Sequence, residues 1–214
     1  MNPVHLVSVG HFGEGVGEYL RQFRQDIVET VLKEDRIPMP EVWPASRMHL
    51  LASWRPVPAL CELLGDLSWE WQRAFVPLML DSTIMRLGPV ILPENGSCWR
   101  CWAQRSKQHA RWPEEQAALL EHYAAHAEAG PQGYLEAFAM MGAAQLAHTI
   151  DQLDSGAAIG GRIWNMDIMT REITTSTVVP IHDCPHCGLH RPPLARSFAD
   201  MEHDIGYLWA KAQQ

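Results

Sequence analysis

The chain has 214 residues, enough for one domain whose core needs no disulfide bonds. Its 25 acidic and 17 basic side chains give a formal net charge of −8, which argues against a protein that holds nucleic-acid phosphates. With 47% hydrophobic and 20% charged residues, the composition is that of a globular protein. The sequence shows neither a secretory signal pattern nor a membrane-spanning apolar run, so we expect a cytoplasmic protein with no membrane partner.

The first half of the chain begins with alternating strand and helix patterns, which is how a mononucleotide-binding-type unit opens. Antiparallel pairing is predicted next, because Asp81-Ser82 is a turn signal between two apolar runs. The predicted elements, in order, are a strand at 4–9, a helix from Glu14 to about Lys33, a loop at 35–44, a strand at 48–53, a helix from Leu60 to about Phe75, and strands at 75–80 and 84–92.

The second half reads as helices and then a hairpin. Pro113 followed by two glutamates favours a helix start, and that helix ends near Gly130. A helix over 133–153 is apolar on nearly every face, so we expect it to be deeply buried or to lie in an oligomer interface. A hairpin over 162–179 and a short amphipathic helix over 199–209 follow. The predicted fold class is α/β, with an abbreviated Rossmann-like sheet and flanking helices, then antiparallel hairpins, in a single domain over 1–214.

Two cysteine pairs are the strongest chemical signal. They are Cys98-Trp-Arg-Cys101 and Cys184-Pro-His-Cys187, and two such pairs can complete a tetrahedral zinc site with no open position. A closed site of this kind indicates structural Zn²⁺ rather than a catalytic metal. The 82 residues between the pairs far exceed the spacing of a freestanding zinc ribbon, so the ion would join two distant parts of one domain. The alternatives are two unrelated cysteine pairs or a redox site.

The remaining chemistry-bearing residues have plain structural interpretations. Cys61 is expected to be a small core residue, and His122 and His126 to be exposed histidines on one helix. Three further histidines could replace one thiolate or lie beside the metal: His182, His186 and His190. Several tryptophans could line a peptide groove or could pack in the core and around the zinc site: Trp69, Trp71, Trp99, Trp102 and Trp112.

A glycine-rich segment, Gly10 to Gly17, lies between the first strand and the first helix. Glycines there let a backbone approach a phosphate, but the spacing is not that of a dinucleotide fingerprint. Glu14 adds negative charge where a phosphate would dock, and the segment holds no lysine or arginine. We therefore expect a tight strand-to-helix connection without a bound nucleotide.

Together these signals resemble the ThiF/MoeB-like superfamily, the relatives of ubiquitin-activating enzymes. Within it they look most like the divergent branch of azole-forming bacteriocin synthetases. The resemblance spans nearly the whole chain and rests on four segments: Val4 to Leu20, the run Leu-Gly-Pro-Val-Ile-Leu-Pro at 87–93, the Cys98 pair, and the hairpin leading to the Cys184 pair. It implies a zinc-tetrathiolate α/β protein, usually a homodimer, that serves as scaffold for a YcaO-type cyclodehydratase. That partner uses ATP to convert side chains of a ribosomal precursor peptide into azolines.

Two departures from the family qualify this expectation. Active members of the superfamily carry an acidic motif where this chain has Ser53-Trp54-Arg55-Pro56, so with Glu14 present adenylation is expected to be lost. Scaffolds of this branch often begin with a winged-helix domain that captures the leader peptide, whereas this sequence starts at the first strand. The leading hypothesis is a non-catalytic scaffold that contacts the cyclodehydratase and the precursor peptide. The alternatives are an adenylating enzyme that acts on a peptide or sulfur-carrier C terminus, and a redox thiol protein.

Overall fold

The computed structural model describes residues 2–32, 43–93, 96–126, 128–131 and 133–188. Within them, one seven-stranded mixed sheet carries five helices, and the strand order is β2-β1-β3-β4-β5-β6-β7. The strands are β1 (Val4–Val9), β2 (Ile27–Leu32), β3 (Met48–Ser53), β4 (Ala74–Asp81), β5 (Ile84–Leu87), β6 (Arg162–Asp167) and β7 (Ile173–Thr177). The helices are α1 (Gly10–Phe23), α2 (Pro58–Trp71), α3 (Trp99–His109), α4 (Pro113–Ala125) and α5 (Glu136–Asp154).

The first four strands form the parallel half of the sheet. β1 pairs with β2 on one side and with β3 on the other, and β3 pairs with β4, all in parallel. β1 and β3 are buried along their whole length, which is why their sequences are nearly continuous apolar runs. The chain runs from β1 through α1 to β2 on one side and from β3 through α2 to β4 on the other, so the carboxyl ends of β1 and β3 border the crevice where open α/β sheets bind ligands.

The last three strands form the antiparallel half. β4 turns into β5 through Ser82, whose φ of 58° lies in the left-handed region. β5 pairs with β6, and β6 pairs with β7 through a second turn that contains Arg171 at a φ of 63°. The predicted hairpin over 162–179 is therefore confirmed, as is the change from parallel to antiparallel pairing.

Helices cover both faces of the sheet and divide the core into two clusters. α1 and α5 pack on one face and contact each other, and they bury Phe12 and Val16 of α1 and Leu146 of α5 completely. α2 and α3 cover the other face, where Cys61, Leu64 and Trp99 join the second cluster. Among the described helices, none combines the length and apolar character that crossing a bilayer requires.

Several predicted bounds are wrong. The long helix predicted from Glu14 to Lys33 ends at Phe23, and Ile27–Leu32 is instead strand β2. The strand predicted at 84–92 ends at Leu87, because Gly88 turns the chain with a φ of 102°. Helix α3 was not predicted, since the sequence there has no apolar stripe. The predicted helix at 199–209 and most of the predicted loop at 35–44 lie outside the described residues.

Of the two alternatives predicted for α5, deep burial on all faces is wrong, and a place in an oligomer interface stays a prediction. The inner face of α5 is buried through Ala139, Ala143 and Ile150, but Met140 and Met141 are 44% and 39% exposed. The helix is therefore buried on one face rather than on all of them.

Candidate metal centre

The two cysteine pairs meet in one cluster. Their four Sγ atoms all lie within 4.8 Å of one another, and all four residues are buried. Cys98 Sγ lies 3.8 Å from Cys101 Sγ and 3.6 Å from Cys184 Sγ, and Cys101 Sγ lies 3.4 Å from Cys187 Sγ. Four sulfurs placed about 2.3 Å from one zinc ion would be separated by about 3.8 Å along each tetrahedral edge. The separations fit that arrangement and exceed any disulfide bond, which matches the free state of all the cysteines.

The first pair is positioned by the start of α3. Cys98 is the residue that caps the helix, and Cys101 lies in the first turn. Backbone N–H groups at a helix start carry partial positive charge, which favours thiolates over thiols. In addition, the backbone N–H of Ile181 donates to Cys101 Sγ at 3.4 Å, so a segment close to the second pair also contacts the first.

The second pair lies on a tight turn after β7. Cys184 N–H donates to the carbonyl of Ile181 at 3.3 Å, and Gly188 N–H donates to the carbonyl of Cys184 at 2.9 Å. A Cβ at Gly188 would lie 2.5 Å from the Cys184 carbonyl oxygen, so only glycine permits this closure. The turn presents both sulfurs on the side that faces α3.

Neighbouring side chains fix the two helices that support the cluster. The Arg100 guanidinium donates to Asp66 at 2.7 Å and lies 3.4 Å from Glu62, which ties α3 to α2. His186 Nε2 lies 3.2 Å from the same Asp66, and its ring contacts Trp69 with centroids 5.6 Å apart. His186 therefore lies beside the cluster and not in it, and His182 is exposed next to Asp183. His190 lies outside the described residues.

The electrostatics of the cluster favour a bound cation. Contact with Cys101 and Cys187, together with burial, raises the pKa of Cys98 above the ordinary thiol range. Contact with Cys187 likewise raises the pKa of Cys101. Cys98 and Cys101 are thus poor acids on their own, whereas a dication would stabilise converging thiolates and remove the repulsion between them. The donor set is the one that Zn²⁺ takes in closed structural sites.

Cys61 takes no part in the cluster. It is fully buried in α2, where burial raises its pKa and its thiol lies 3.8 Å from Met79 Sδ. The structure agrees with its interpretation as a core residue.

The glycine-rich segment is part of helix α1 and not a separate connection between β1 and the helix. Residues 10–17 form the first two turns of α1, because the helix begins directly after β1. A Cβ at Gly13 would lie 2.5 Å from the Ala52 carbonyl oxygen, so this glycine allows α1 to approach β3. A Cβ at Gly10 would lie 2.3 Å from Cδ1 of Trp54, so an indole ring fills the space over the backbone where a phosphate would approach. Glu14 is exposed on α1.

The segment after β3 contains a buried arginine where an acidic motif would be needed for magnesium. Arg55 is 2% exposed, lies between the rings of Trp54 and Tyr123, and donates to the Tyr123 carbonyl at 2.9 Å. The cleft beside Trp54 has a volume of about 430 Å³, and none of the described residues that line it is charged: Trp54, Leu80, Ser82, Pro131, Gly133, Tyr134, Leu135, Phe138, Ile168 and Met169. Nucleotide transfer chemistry requires cations and a magnesium-binding acid near the phosphates.

The other singled-out aromatic residues do not form one groove. Trp69 and Trp99 are buried near the cysteines, and Trp99 contacts Trp102 at 4.4 Å. Trp71 contacts His49 on β3 with ring centroids 5.4 Å apart, and Trp112 is 61% exposed. His122 and His126 stack on each other at α4 with exposed rings.

One polar cluster was missed by sequence reasoning. His5 and His49 are buried on adjacent strands β1 and β3, with their Nδ1 atoms 3.1 Å apart. His5 Nε2 also lies 2.9 Å from Thr30 Oγ1, and His49 Nε2 lies 3.3 Å from Ser46 Oγ. Burial lowers the pKa of each histidine to about 4. Only the pairing of β1 with β3 brings them together, so no signal in the sequence could have found the pair.

No family model and no curated protein matches the chain. Solved structures nevertheless share its fold. A structure described as a heterocyclase in complex with substrate and cofactor aligns with a TM-score of 0.62 at 18% identity, over 87% of this chain and 25% of that one. E. coli MccB aligns with a TM-score of 0.62 at 10% identity, over 87% and 65% of the two chains. The E. coli microcin synthetase McbBCD complex contains a chain that aligns with a TM-score of 0.62 at 13% identity, over 85% and 67%.

These similarities show a common fold, because the identities are too low to show more. The chain spans about a quarter of the length of the heterocyclase chain and about two thirds of the length of the other two. The fold that carries the cysteine cluster is therefore one that heterocyclases and microcin synthetases contain.

Proposed function

We propose that this chain is a zinc-binding, non-catalytic scaffold subunit of a YcaO-type cyclodehydratase complex, which makes azolines in a ribosomally synthesised precursor peptide. In this proposal residues 1–214 form one ThiF-like unit, two copies associate, and the complex works in the cytoplasm. Cys98, Cys101, Cys184 and Cys187 would hold one structural Zn²⁺. The ion would fasten the framework on which the cyclodehydratase and the peptide are positioned.

The observation that carries the proposal is the closed four-sulfur cluster in this particular fold. Its four sulfurs are buried and are spaced as a tetrahedral zinc site requires. Four protein ligands leave no position for water or substrate, so a metal held there would stabilise structure and would not act as a Lewis acid. The solved structures with the same fold include a heterocyclase and a microcin synthetase complex.

The crevice at the carboxyl ends of β1 and β3 supports a role without nucleotide chemistry. Trp54 fills the space over Gly10, and the lining of the adjacent cleft is uncharged. An adenylating enzyme must stabilise phosphate charge with cations and magnesium, and the described residues that line the cleft beside Trp54 include no charged side chain.

A reconstitution experiment tests the proposal. The chain is mixed with a YcaO protein and a precursor peptide encoded by neighbouring genes, together with ATP, and ring formation is followed by the loss of one water per azoline in the mass spectrum. We expect co-purification of this chain with the YcaO protein and loss of azoline formation when the chain is omitted. Unchanged ring formation without this chain would contradict the proposal.

The adenylation alternative makes the opposite prediction in a simpler assay. Several of the similar structures are of E. coli MccB, and one of them is described as MccB with ATP, so the fold itself is compatible with nucleotide binding. ATP–pyrophosphate exchange, measured on the purified chain with a carboxylate-bearing peptide, should be absent if the chain is a scaffold. Exchange above the background of a reaction without this chain would favour the enzyme instead.

A further inference from the structure

Strand β7 leaves an open edge on the described sheet. It pairs with β6 on one side only, and all five residues of Ile173–Thr177 are exposed. Exposed edge strands usually carry lysine, proline or an inward-pointing charge, which prevents pairing with another chain. The sequence Ile-Thr-Thr-Ser-Thr contains none of these and has strong β propensity. The edge therefore lacks the features that normally prevent pairing.

The backbone groups that face outward can be assigned from the pairing with β6. Asp167 N–H donates to the Glu172 carbonyl at 3.0 Å, and Val178 N–H donates to the Gly161 carbonyl at 2.9 Å. In an antiparallel ladder, paired and unpaired positions alternate along the strand. The even-numbered residues of β7 thus bond to β6, whereas Ile173, Thr175 and Thr177 direct their N–H and C=O groups to the open edge. The N–H and C=O groups of these three residues can hydrogen-bond to an added strand.

A basic groove lies beside this edge. It has a volume of about 610 Å³ and is lined by Arg86, Trp102, Arg105, Ser106, His109, Ile163, Asn165, Ser176, Thr177, Val178 and Val179. Among the described residues, the lining includes Arg86, Arg105 and His109 and no acidic side chain, and Arg86 also lies 3.6 Å from Asp81. Arg105 donates from Nε to the Val179 carbonyl at 3.4 Å, which holds its guanidinium next to the end of β7.

The charge of the groove differs from that of the whole chain. The chain has a net charge of −8, yet α3, which contributes Arg105 to the groove, contains no acidic residue. Positive charge concentrated at one site of an acidic protein selects for a negatively charged partner and accelerates its association. The open edge and the groove together offer backbone pairing on one side and cations on the other.

We infer that the β7 edge and the adjoining basic groove bind an extended, acidic peptide segment, which pairs with β7 as an eighth strand. The inference rests on the proposed function, in which the partner is a precursor peptide, and it names where and how that peptide is held. The backbone pairing gives binding that tolerates sequence variation. Arg105 selects for acidic side chains on the peptide.

A second copy of this chain is a less suitable occupant of the edge. Pairing β7 with β7 of another copy about a two-fold axis perpendicular to the sheet would place two α3 helices on the same face. The Arg105 side chains of the two copies, each next to the end of β7, would approach each other, and like charges near an interface oppose association. An acidic peptide meets the same cations with attraction.

Binding of a defined probe tests the inference. The probe is a fluorescein-labelled synthetic peptide of about eight residues that alternates valine and glutamate, and a valine–lysine peptide of equal length is its control. Fluorescence anisotropy at low ionic strength should show binding of the glutamate peptide and at least about tenfold weaker binding of the lysine peptide. Hydrogen exchange should show that the amides of Ile173, Thr175 and Thr177 exchange fast in the free protein and slowly in the complex.

Two variants of one residue separate backbone pairing from side-chain effects. Thr175→Pro removes an outward N–H and leaves the bonds to β6 intact, because proline is tolerated on an edge whose N–H faces solvent. It should weaken binding of the glutamate peptide by about tenfold, while Thr175→Val, which keeps the N–H, should bind as the unchanged chain does. Arg105→Gln should reduce the preference for glutamate over lysine. Unfolding curves check that each variant is folded.

Several outcomes would overturn the inference. Equal binding by Thr175→Pro, or no binding of the glutamate peptide at all, would exclude pairing at β7. Slow exchange of the three amides in the free protein would show that the edge is already paired. A dimer that dissociates in Thr175→Pro would assign the edge to a second copy. If the reconstituted complex needs this chain but Thr175→Pro binds peptide normally, the proposed function holds and only this inference fails.

Discussion

Each cysteine of the cluster would supply one of four metal ligands, so the loss of any one should open the site. We expect Cys184→Ser to bind well below one zinc per chain and to lose several kcal/mol of unfolding free energy, because metal binding and folding are coupled. Zinc content and urea unfolding measure the two effects. Cys61→Ala is the matched control, since it removes a buried thiol outside the cluster and should keep a full equivalent of zinc. Full zinc content in the Cys184 variant would count against its assignment as a ligand.

The buried pair His5 and His49 should make stability depend on pH. Burial lowers the pKa of both to about 4 in the folded protein, from the ordinary histidine value of 6.5, and the charges of His5 and Arg73 add to the effect on His49. The unfolded chain therefore binds more protons between these values. The contribution of the two neutral histidines to the free energy of unfolding is present above the unfolded pKa of about 6.5. It is lost as the pH falls towards 4.

The expected loss is about 2 kcal/mol for one histidine between pH 6.5 and 5. Urea unfolding at several pH values in this window measures it, with zinc content followed in parallel because thiolates also bind protons. His5→Asn should flatten the profile, whereas His122→Gln, which changes an exposed residue of α4, should leave it unchanged. An equally steep profile in His5→Asn would show that another group is responsible.

Among the residues of the site, the cysteines could be predicted from the sequence, whereas contacts between side chains of different elements could not. The cysteine pairs were identified because a two-residue spacing is meaningful by itself, and the structure brings all four sulfurs together. That they bind zinc is still a prediction. The contacts of Asp66 with Arg100 and His186, and of His5 with His49, depend on how elements pack against one another. No local pattern encodes such contacts.

At the scale of elements, the close approach of α1 to β3 depends on Gly13. A Cβ there would lie 2.5 Å from the backbone oxygen of Ala52, and a β-strand carbonyl has little freedom to move. We expect Gly13→Ala to cost about 1–3 kcal/mol of unfolding free energy, although alanine is the better helix former. The control is Gly133→Ala, which meets nothing within 4 Å and should change stability by less than about 0.5 kcal/mol. Equal effects in urea unfolding would contradict the packing described.

Hydrophobic periodicity fails to predict two elements, β2 and α3. In β2, the residues Ile27, Val28 and Val31 are spaced as on a helix, so the helix of α1 was extended through them. Their β-branched side chains and the edge of β1 next to them favour a strand instead. Helix α3 has few apolar residues, and only Trp99 and Cys101 are buried, so its position depends on the cysteine cluster and on α2 rather than on amphipathic patterning.

At the scale of the whole molecule, the cluster joins parts of the chain that lie 86 positions apart. Helices α4 and α5 and strands β6 and β7 all lie between the two pairs. Closing so long a loop restricts the unfolded chain, and ligand binding adds its own free energy to folding. Removal of zinc by a chelator should therefore lower Tm by on the order of 10 °C, and added zinc should restore it. An unchanged Tm after verified metal removal would show that the cluster is not needed for the fold.

The central claim is that four cysteine sulfurs surround a single zinc ion. X-ray absorption at the zinc edge, combined with elemental analysis of protein prepared without added zinc, tests it most directly. The account predicts one zinc per chain, four sulfur neighbours at about 2.3 Å and no nitrogen or oxygen neighbour. A chain free of zinc, a disulfide among these cysteines, or a spectrum with oxygen or nitrogen ligands would contradict it.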